Sequence, residues 1–173
     1  MLINVSVIRK MIKKVLIYLL LTNLDAKLKS KDLKLTHKQL SRDTGRYHSW
    51  FNSSFNELED IQISTFFRVL AAVNERLKAR TEKEIDAVFL HDILTLDAIH
   101  MANALNKLSD EEDGHLLDFI QEEEKVFQDL ISYWGILSAN NKLDAAEDEA
   151  LKEIRTILNT DSNAEQEEEE DEQ

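Results

Sequence analysis

The chain has 173 residues, enough for one or two small domains that each bury a hydrophobic core. It contains no cysteine, which excludes disulfides and thiolate metal sites and fits a reducing cytoplasm, where we expect the protein to be located. With no proline, three glycines and a formal net charge of −13, the composition favours helices over strands and predicts an all-α protein.

The charge is divided unevenly along the chain. Residues 1–50 contain eleven Lys and Arg against three Asp, a local charge of +8, so the other 123 residues carry −21. A basic segment is the electrostatic feature expected of a polyanion-binding site, and the acidic remainder is expected to face elsewhere. The total charge argues against nucleic-acid binding, but the basic first segment keeps this function possible.

The first predicted element is an amphipathic helix. Its apolar stripe has helical spacing and consists of Val5, Ile8, Ile12, Val15 and Leu19. A secretory signal is the competing interpretation, because a basic start precedes an apolar run. The run is short, no small-x-small cleavage site follows it, and it is too short to span a bilayer. We therefore predict a helix of the protein core and no membrane segment.

Two short helices joined by a glycine turn follow. Thr36 and Gln39 form a T-x-x-Q capping box, which predicts a helix that begins near His37. Gly45 ends this helix, because a residue without a Cβ enters the left-handed conformation at low cost and lets the chain change direction.

The second short helix has one apolar and one polar face. Phe51 and Phe55, at i and i+4, give it a buried edge. Its other face is polar and contains no acidic residue; it carries Arg46, His48, Ser49, Asn52 and Ser53. Such a face can donate to and accept from base edges without repelling phosphates.

The stretch from Leu35 to Val73 resembles the helix-turn-helix of the Cro and lambda-repressor type, the xenobiotic-response-element-like family, whose second helix enters the DNA major groove. The resemblance covers about residues 5–75 and lies in the spacing of Leu40, Ser41, Gly45, Phe51, Phe66, Val69 and Val73. The chain departs from the family at His37, Phe55 and Glu57, where Gln, Glu and Gly are common. The alternative is that residues 35–73 are a piece of helical bundle with a tight turn.

The resemblance implies a sequence-specific transcriptional regulator, repressor-like and of the phage or mobile-element type, that binds double-stranded DNA as a homodimer. We expect its DNA contacts to come from Thr36, His37, Lys38, Arg46, His48, Ser49, Asn52 and Ser53. No cofactor is expected.

Further helices are predicted after a return helix that starts at Ile63. Capping boxes formed by Thr81 with Glu84 and by Ser109 with Glu112 open two of them, and a last helix begins near residue 143. These three helices are too few to cover their own apolar side chains, which predicts a two-fold dimer through Phe119, Phe127, Ile131 and Trp134.

The predicted organisation has three parts. Residues 1–79 form a helix-turn-helix unit of four to five helices, residues 80–159 form a three-helix dimerisation unit, and residues 160–173 form a disordered acidic tail. The alternative function is that the acidic C-terminal helices bind a basic protein or mimic DNA.

Catalytic and metal-binding patterns are weak. Asp97 with His100 and Glu112 with His115 have the i, i+3 spacing of carboxylate and histidine ligands in di-iron bundles. One pair has Asp in place of Glu, and the other straddles a glycine, so no metal site is predicted. No phosphate-binding loop or nucleophile motif is present, and we do not expect an enzyme.

Overall fold

The computed structural model describes residues 3–31, 33–45, 47, 50–58, 61–80, 87–108 and 113–171, with the backbone alone described at residues 54, 55, 63, 80, 113 and 160–171. This part of the chain is helical and has no strand, which confirms the predicted all-α class. None of its helices is long and apolar enough to cross a membrane. The helices are α1 (Val5–Ser30), α2 (His37–Asp43), α3 (Trp50–Glu57), α4 (Ile63–Arg80), α5 (Leu96–Leu108), α6 (Leu116–Glu122), α7 (Glu124–Ala139) and α8 (Ala145–Asp171), with 3₁₀ turns at Leu90–Asp92 and Asp113–His115.

The contacts divide the chain into two compact units. The terminal unit contains Met1–Val15 and His100–Gln173, and the central unit contains Leu16–Ile99. The division is not the linear one that the sequence predicts near residue 80, because the first half of α1 groups with the C-terminal helices. The predicted capping boxes at residues 81–84 and 109–112 lie outside the described residues.

The core of the terminal unit is aromatic. Phe127 and Trp134, two turns apart on α7, are fully buried, with ring centroids 6.1 Å apart, and Phe119 meets Phe127 edge to face at 5.9 Å. The Trp134 indole N–H donates to the Met11 carbonyl at 3.1 Å, so the polar atom of this buried ring is satisfied by α1. The N-terminal helix is thus part of this core.

Polar contacts at the start of α8 also involve α1. Asp144 Oδ1 accepts the Glu147 N–H at 3.0 Å and Glu147 Oε2 accepts the Asp144 N–H at 2.7 Å, a reciprocal cap. The Lys14 ammonium lies 2.6 Å from the buried Glu147 carboxylate, and the Lys10 ammonium lies 2.7 Å from Asp144. Two of the lysines on the basic side of α1 are therefore paired within the chain.

α8 continues to Asp171, whereas the sequence predicts a disordered tail from residue 160. The segment is rich in Glu, a good helix former, and contains neither glycine nor proline. The helix is already nucleated and capped near Asp144, so these residues add only propagation steps, against the cost of like-charge repulsion and of acids near a helix C-terminus.

The core of the central unit is built by α2, α3, α4 and the second half of α1. The apolar positions named from the family spacing, Leu40, Phe51, Phe66, Val69 and Val73, are all buried, and α1 adds Leu21, Leu24 and Leu28. Burial of these side chains confirms the predicted helical periodicity, and α2 packs against both α3 and α4.

Candidate nucleic-acid interface

The start of α2 has the predicted cap. Thr36 Oγ1 accepts the Gln39 N–H at 3.2 Å, and Gln39 Oε1 accepts the Thr36 N–H at 2.9 Å, so the helix begins at His37 as expected. The cap uses the Thr36 hydroxyl for folding. The cap thereby fixes the first residues of α2, His37 and Lys38.

The turn after α2 depends on glycine as predicted. Gly45 has φ +69°, in the left-handed region, and its N–H donates to the Arg42 carbonyl at 2.9 Å. The guanidinium of Arg68 donates to the carbonyl of Thr44 and lies close to the turn: a Cβ on Gly45 would stand 3.1 Å from Arg68 Nη2. α4 therefore supports the turn between α2 and α3.

A buried hydroxyl joins α2 to α3. Ser41 is fully buried; its Oγ accepts the N–H of Phe51 at 2.8 Å and donates to the His37 carbonyl at 2.8 Å. The Phe51 N–H belongs to the first turn of α3, where backbone N–H groups have no partner within the helix. One serine thus satisfies a buried donor of α3 and sets how closely the two helices approach.

In the sequence, Ser41 stood out only as one of the positions that match the family spacing. Its hydrogen-bonding role had a signal, however: a hydroxyl beside Leu40 on the buried side of a helix needs a partner, since buried polar groups are almost always hydrogen-bonded. Which partner it finds, ten residues along the chain, depends on the tertiary fold.

Two of the predicted DNA-contacting residues touch each other across the helices. His37 Nδ1 lies 3.3 Å from Asn52 Oδ1, and the His37 ring packs on Phe51 with centroids 5.1 Å apart. Because an amide oxygen only accepts, the hydrogen bond forms in the tautomer that carries a proton on Nδ1. Asn52 is exposed and Ser53 is half-buried, so the first turn of α3 presents polar groups beside the start of α2.

The exposed side of α2 is basic. Lys38 and Arg42 are both exposed and lie one helical turn apart. The carboxylate of the adjacent Asp43 is 3.9 Å from the Arg42 guanidinium, but it is bound by Arg76, whose Nη2 donates to Oδ1 at 3.0 Å and whose Nε donates to Oδ2. The hydrogen bonds from Arg76 lower the pKa of Asp43. The one acid on α2 is therefore paired from α4.

Three predicted contact residues, Arg46, His48 and Ser49, lie outside the described residues. Tyr47, which lies between Arg46 and His48, is described and is 63% exposed. Trp50, at the start of α3, is half-buried and meets Phe51 edge to face at 6.0 Å. An aromatic ring of Tyr47 therefore stands in solvent between α2 and α3.

The predicted dimerisation residues need a correction. Phe119, Phe127 and Trp134 are covered by their own chain, and Ile131 is half-buried. The terminal unit therefore covers three of the four side chains that were expected to need a partner. A dimer stays a prediction, but its surface has to be sought among exposed residues.

No group of three or more potential metal ligands occurs among the described residues. Asp97 and His100 are exposed on α5, and Glu112 lies outside the described residues. No protein-family model matches the chain, and no curated protein or solved structure is significantly similar to it.

Proposed function

We propose that the chain is a sequence-specific DNA-binding regulator, repressor-like and homodimeric, in which α2 contacts phosphates and α3 reads base edges. The observation that supports this most directly is the buried Ser41 hydroxyl between α2 and α3. It holds two short helices at a fixed separation while their exposed sides carry polar and basic groups. Precise spacing of such a pair is what docking into a DNA groove requires.

The two helices are assigned different tasks. Lys38 and Arg42 on α2 would neutralise phosphates, which gives affinity for any duplex. Asn52 on α3 would read bases, since its amide group can donate to N7 and accept from N6 of adenine. The contact with His37 uses one lone pair of the amide oxygen and leaves the second lone pair and the NH₂ group for a base. The same contact orients the amide before DNA arrives, which lowers the entropy lost on binding.

A salt titration tests the phosphate contacts. Binding of the full chain to random duplex DNA is measured between low and high salt for wild type, Lys38→Ala and a control, Lys125→Ala, which removes an exposed lysine from the acidic α7. We expect Lys38→Ala to flatten the slope of log K against log salt by about 0.9 and the control to leave it unchanged. No salt-dependent binding by wild type, even after removal of residues 160–173, would refute the proposal.

Base readout has a separate signature. Asn52→Ala is expected to cost roughly 1–3 kcal/mol of discrimination for one base pair while it keeps non-specific affinity. The preferred site is selected from a random duplex pool with wild type and then remeasured with the variant. Equal loss on all sequences would mean that Asn52 contributes to folding or phosphate binding rather than to readout.

The alternative function is binding of a basic protein by the acidic terminal unit. The observation that favours it is the cluster of exposed carboxylates on α6 and α7 around Lys125: Asp118, Glu122, Glu124 and Asp129. Under this alternative, wild type binds no duplex but binds a lysine-rich peptide, and Glu122→Gln with Glu124→Gln weakens that binding. Duplex binding that depends on Lys38 would exclude it as the principal function.

A further inference from the structure

Exposed apolar side chains are concentrated in residues 89–99 of the central unit. Eight large apolar residues are exposed in the described part of the chain, and half of them occur within these eleven positions. They are Phe89, Leu94, Leu96 and Ile99, with exposed fractions of 55%, 44%, 67% and 57%. We call residues 89–99 the apolar segment. Its exposure needs explanation, because a cluster of this kind on a water-soluble surface marks an interaction site or an aggregation liability.

The start of the apolar segment is held firmly by α4. The side chain of Asn74 binds both backbone groups of Val88: its Nδ2 donates to the carbonyl at 2.9 Å and its Oδ1 accepts the N–H at 2.8 Å. The Val88 side chain is itself buried. The backbone just before Phe89 is therefore fixed by two hydrogen bonds and a core contact.

The second anchor comes from α1. Asn23 Nδ2 donates to the Ile93 carbonyl at 3.0 Å, and the Lys27 ammonium lies 3.1 Å from Asp92 Oδ1. Asp92 Oδ2 in turn accepts the Phe89 N–H at 2.7 Å and closes the 3₁₀ turn. Between the anchors, the exposed Phe89 ring stacks on His91 at 5.4 Å with an interplanar angle of 8°. The segment is thus an ordered turn, and its apolar groups are displayed on a fixed backbone.

A fixed backbone that exposes apolar groups is suited to binding, since little conformational entropy remains to be lost. The exposed parts of the four side chains sum to roughly 300–400 Å² of apolar surface, which is comparable in area with the largest patch on a typical monomer. Two such patches placed face to face would remove about twice that area from water. This is the apolar centre of a standard interface, whose total buried area is about 1,200–2,000 Å².

We propose that the apolar segment is the surface through which a second copy of the chain binds, in a two-fold symmetric contact. Copies with a net charge of −13 repel each other, so contact is favoured where few carboxylates are exposed. The segment has one carboxylate outside an ion pair, Asp97, and it also has the exposed ring of His91. In a two-fold contact each copy contributes both residues, so the Asp97 carboxylate of one copy can accept the ring N–H of His91 from the other.

The inference rests on the proposed function, which supplies the reason for a dimer. The central unit carries α2 and α3. A dimer formed through this unit places two copies of α3 about a two-fold axis, as a palindromic DNA site requires. The apolar segment also gives the predicted dimer an exposed surface, in place of the residues of the terminal unit that the sequence suggested.

Sedimentation equilibrium of the full chain tests the inference. The variant is Leu96→Glu, which puts a charge at the most exposed apolar position of the segment, and the matched control is Leu117→Glu, a 39% exposed leucine on α6 of the terminal unit. We expect wild type and Leu117→Glu to dimerise at micromolar concentration, and Leu96→Glu to be monomeric or at least 100-fold weaker. Circular dichroism checks that both variants keep the helical content of wild type.

Three outcomes would overturn the inference. The first is a wild type that is monomeric at about 0.5 mM, a concentration far above the dissociation constant of a specific dimer. The others are a Leu96→Glu variant that dimerises as tightly as wild type, and a Leu117→Glu variant that is disrupted as much as Leu96→Glu. Duplex binding is measured on the same samples to separate this inference from the proposed function. Salt-dependent duplex binding by a monomeric wild type would refute the dimer surface and the homodimeric state, and would leave DNA binding as the function. A dimer that depends on Leu96 but binds no duplex would keep the surface and remove the function.

Discussion

Replacement of Ser41 by alanine tests the link between α2 and α3. The variant removes an Oγ that accepts the Phe51 N–H at 2.8 Å in a buried position. The His37 carbonyl loses a second donor but keeps its ordinary helical bond. The Phe51 N–H, in contrast, becomes a buried donor without a partner. The cost of such a group is about 1–3 kcal/mol, and alanine leaves a gap of a single oxygen atom, which is too small for water to enter.

The assay is urea unfolding followed by helical circular dichroism. We expect Ser41→Ala to lower the free energy of unfolding by about 1–3 kcal/mol. The control is Ser132→Ala, which removes an exposed hydroxyl that donates to the Gln128 carbonyl at 3.3 Å on α7, and for it we expect a change within about 0.5 kcal/mol. Hydrogen exchange of the Phe51 amide should accelerate in Ser41→Ala. An unchanged free energy and an unchanged exchange rate would refute the idea that this hydroxyl sets the helix pair.

Three further substitutions test other contacts by the same unfolding assay. Gly45→Ala should cost about 1–2 kcal/mol because its φ is +69°, whereas Gly114→Ala, at which a Cβ meets nothing within 4 Å, should cost less; equal costs would contradict the argument. Glu147→Ala should cost about 3–5 kcal/mol, since it removes a buried carboxylate shared by two lysines and a helix cap, and a loss below about 1 kcal/mol would count against that role. The hydrogen bond from Lys10 lowers the pKa of Asp144 in the folded state, so its stabilisation is complete above the unfolded pKa of about 3.9 and is lost as pH falls through the folded pKa. Wild type should therefore lose more stability than Asp144→Asn between about pH 4 and pH 2, and parallel pH profiles would exclude the effect.

Features that depend on neighbouring residues could be predicted from the sequence. The cap formed by Thr36 and Gln39 and the left-handed turn at Gly45 are decided within a few residues, and both occur where predicted. The buried positions of α4, such as Phe66 and Val73, follow from helical periodicity alone. The same local rule applies to the reciprocal cap of Asp144 and Glu147, which are three residues apart.

Features that depend on distant parts of the chain could not be predicted. The pairing of Lys14 with Glu147 joins residues 133 positions apart, and the indole of Trp134 bonds to Met11 across 123 positions. Periodicity shows that a side chain such as Phe127 is buried but not what covers it. For this reason the sequence predicts a partner molecule for Trp134, whose buried indole bonds to α1 of the same chain.

The salt slope of duplex binding can report the function and the oligomeric state together. Counting charges along the sequence overestimates the phosphate contacts, because Lys10 and Lys14 are committed to carboxylates of α8 and of the residue before it. On α2, Lys38 and Arg42 remain exposed, and two phosphate contacts contribute a slope of about −1.8. A two-fold dimer doubles the contribution to about −3.6. On one palindromic duplex, the slope of wild type should therefore be steeper than that of the Leu96→Glu variant by about 1.8. Equal slopes for the two proteins would mean that one copy of α2 and α3 engages the DNA, and the case for a dimer that binds through both would fail.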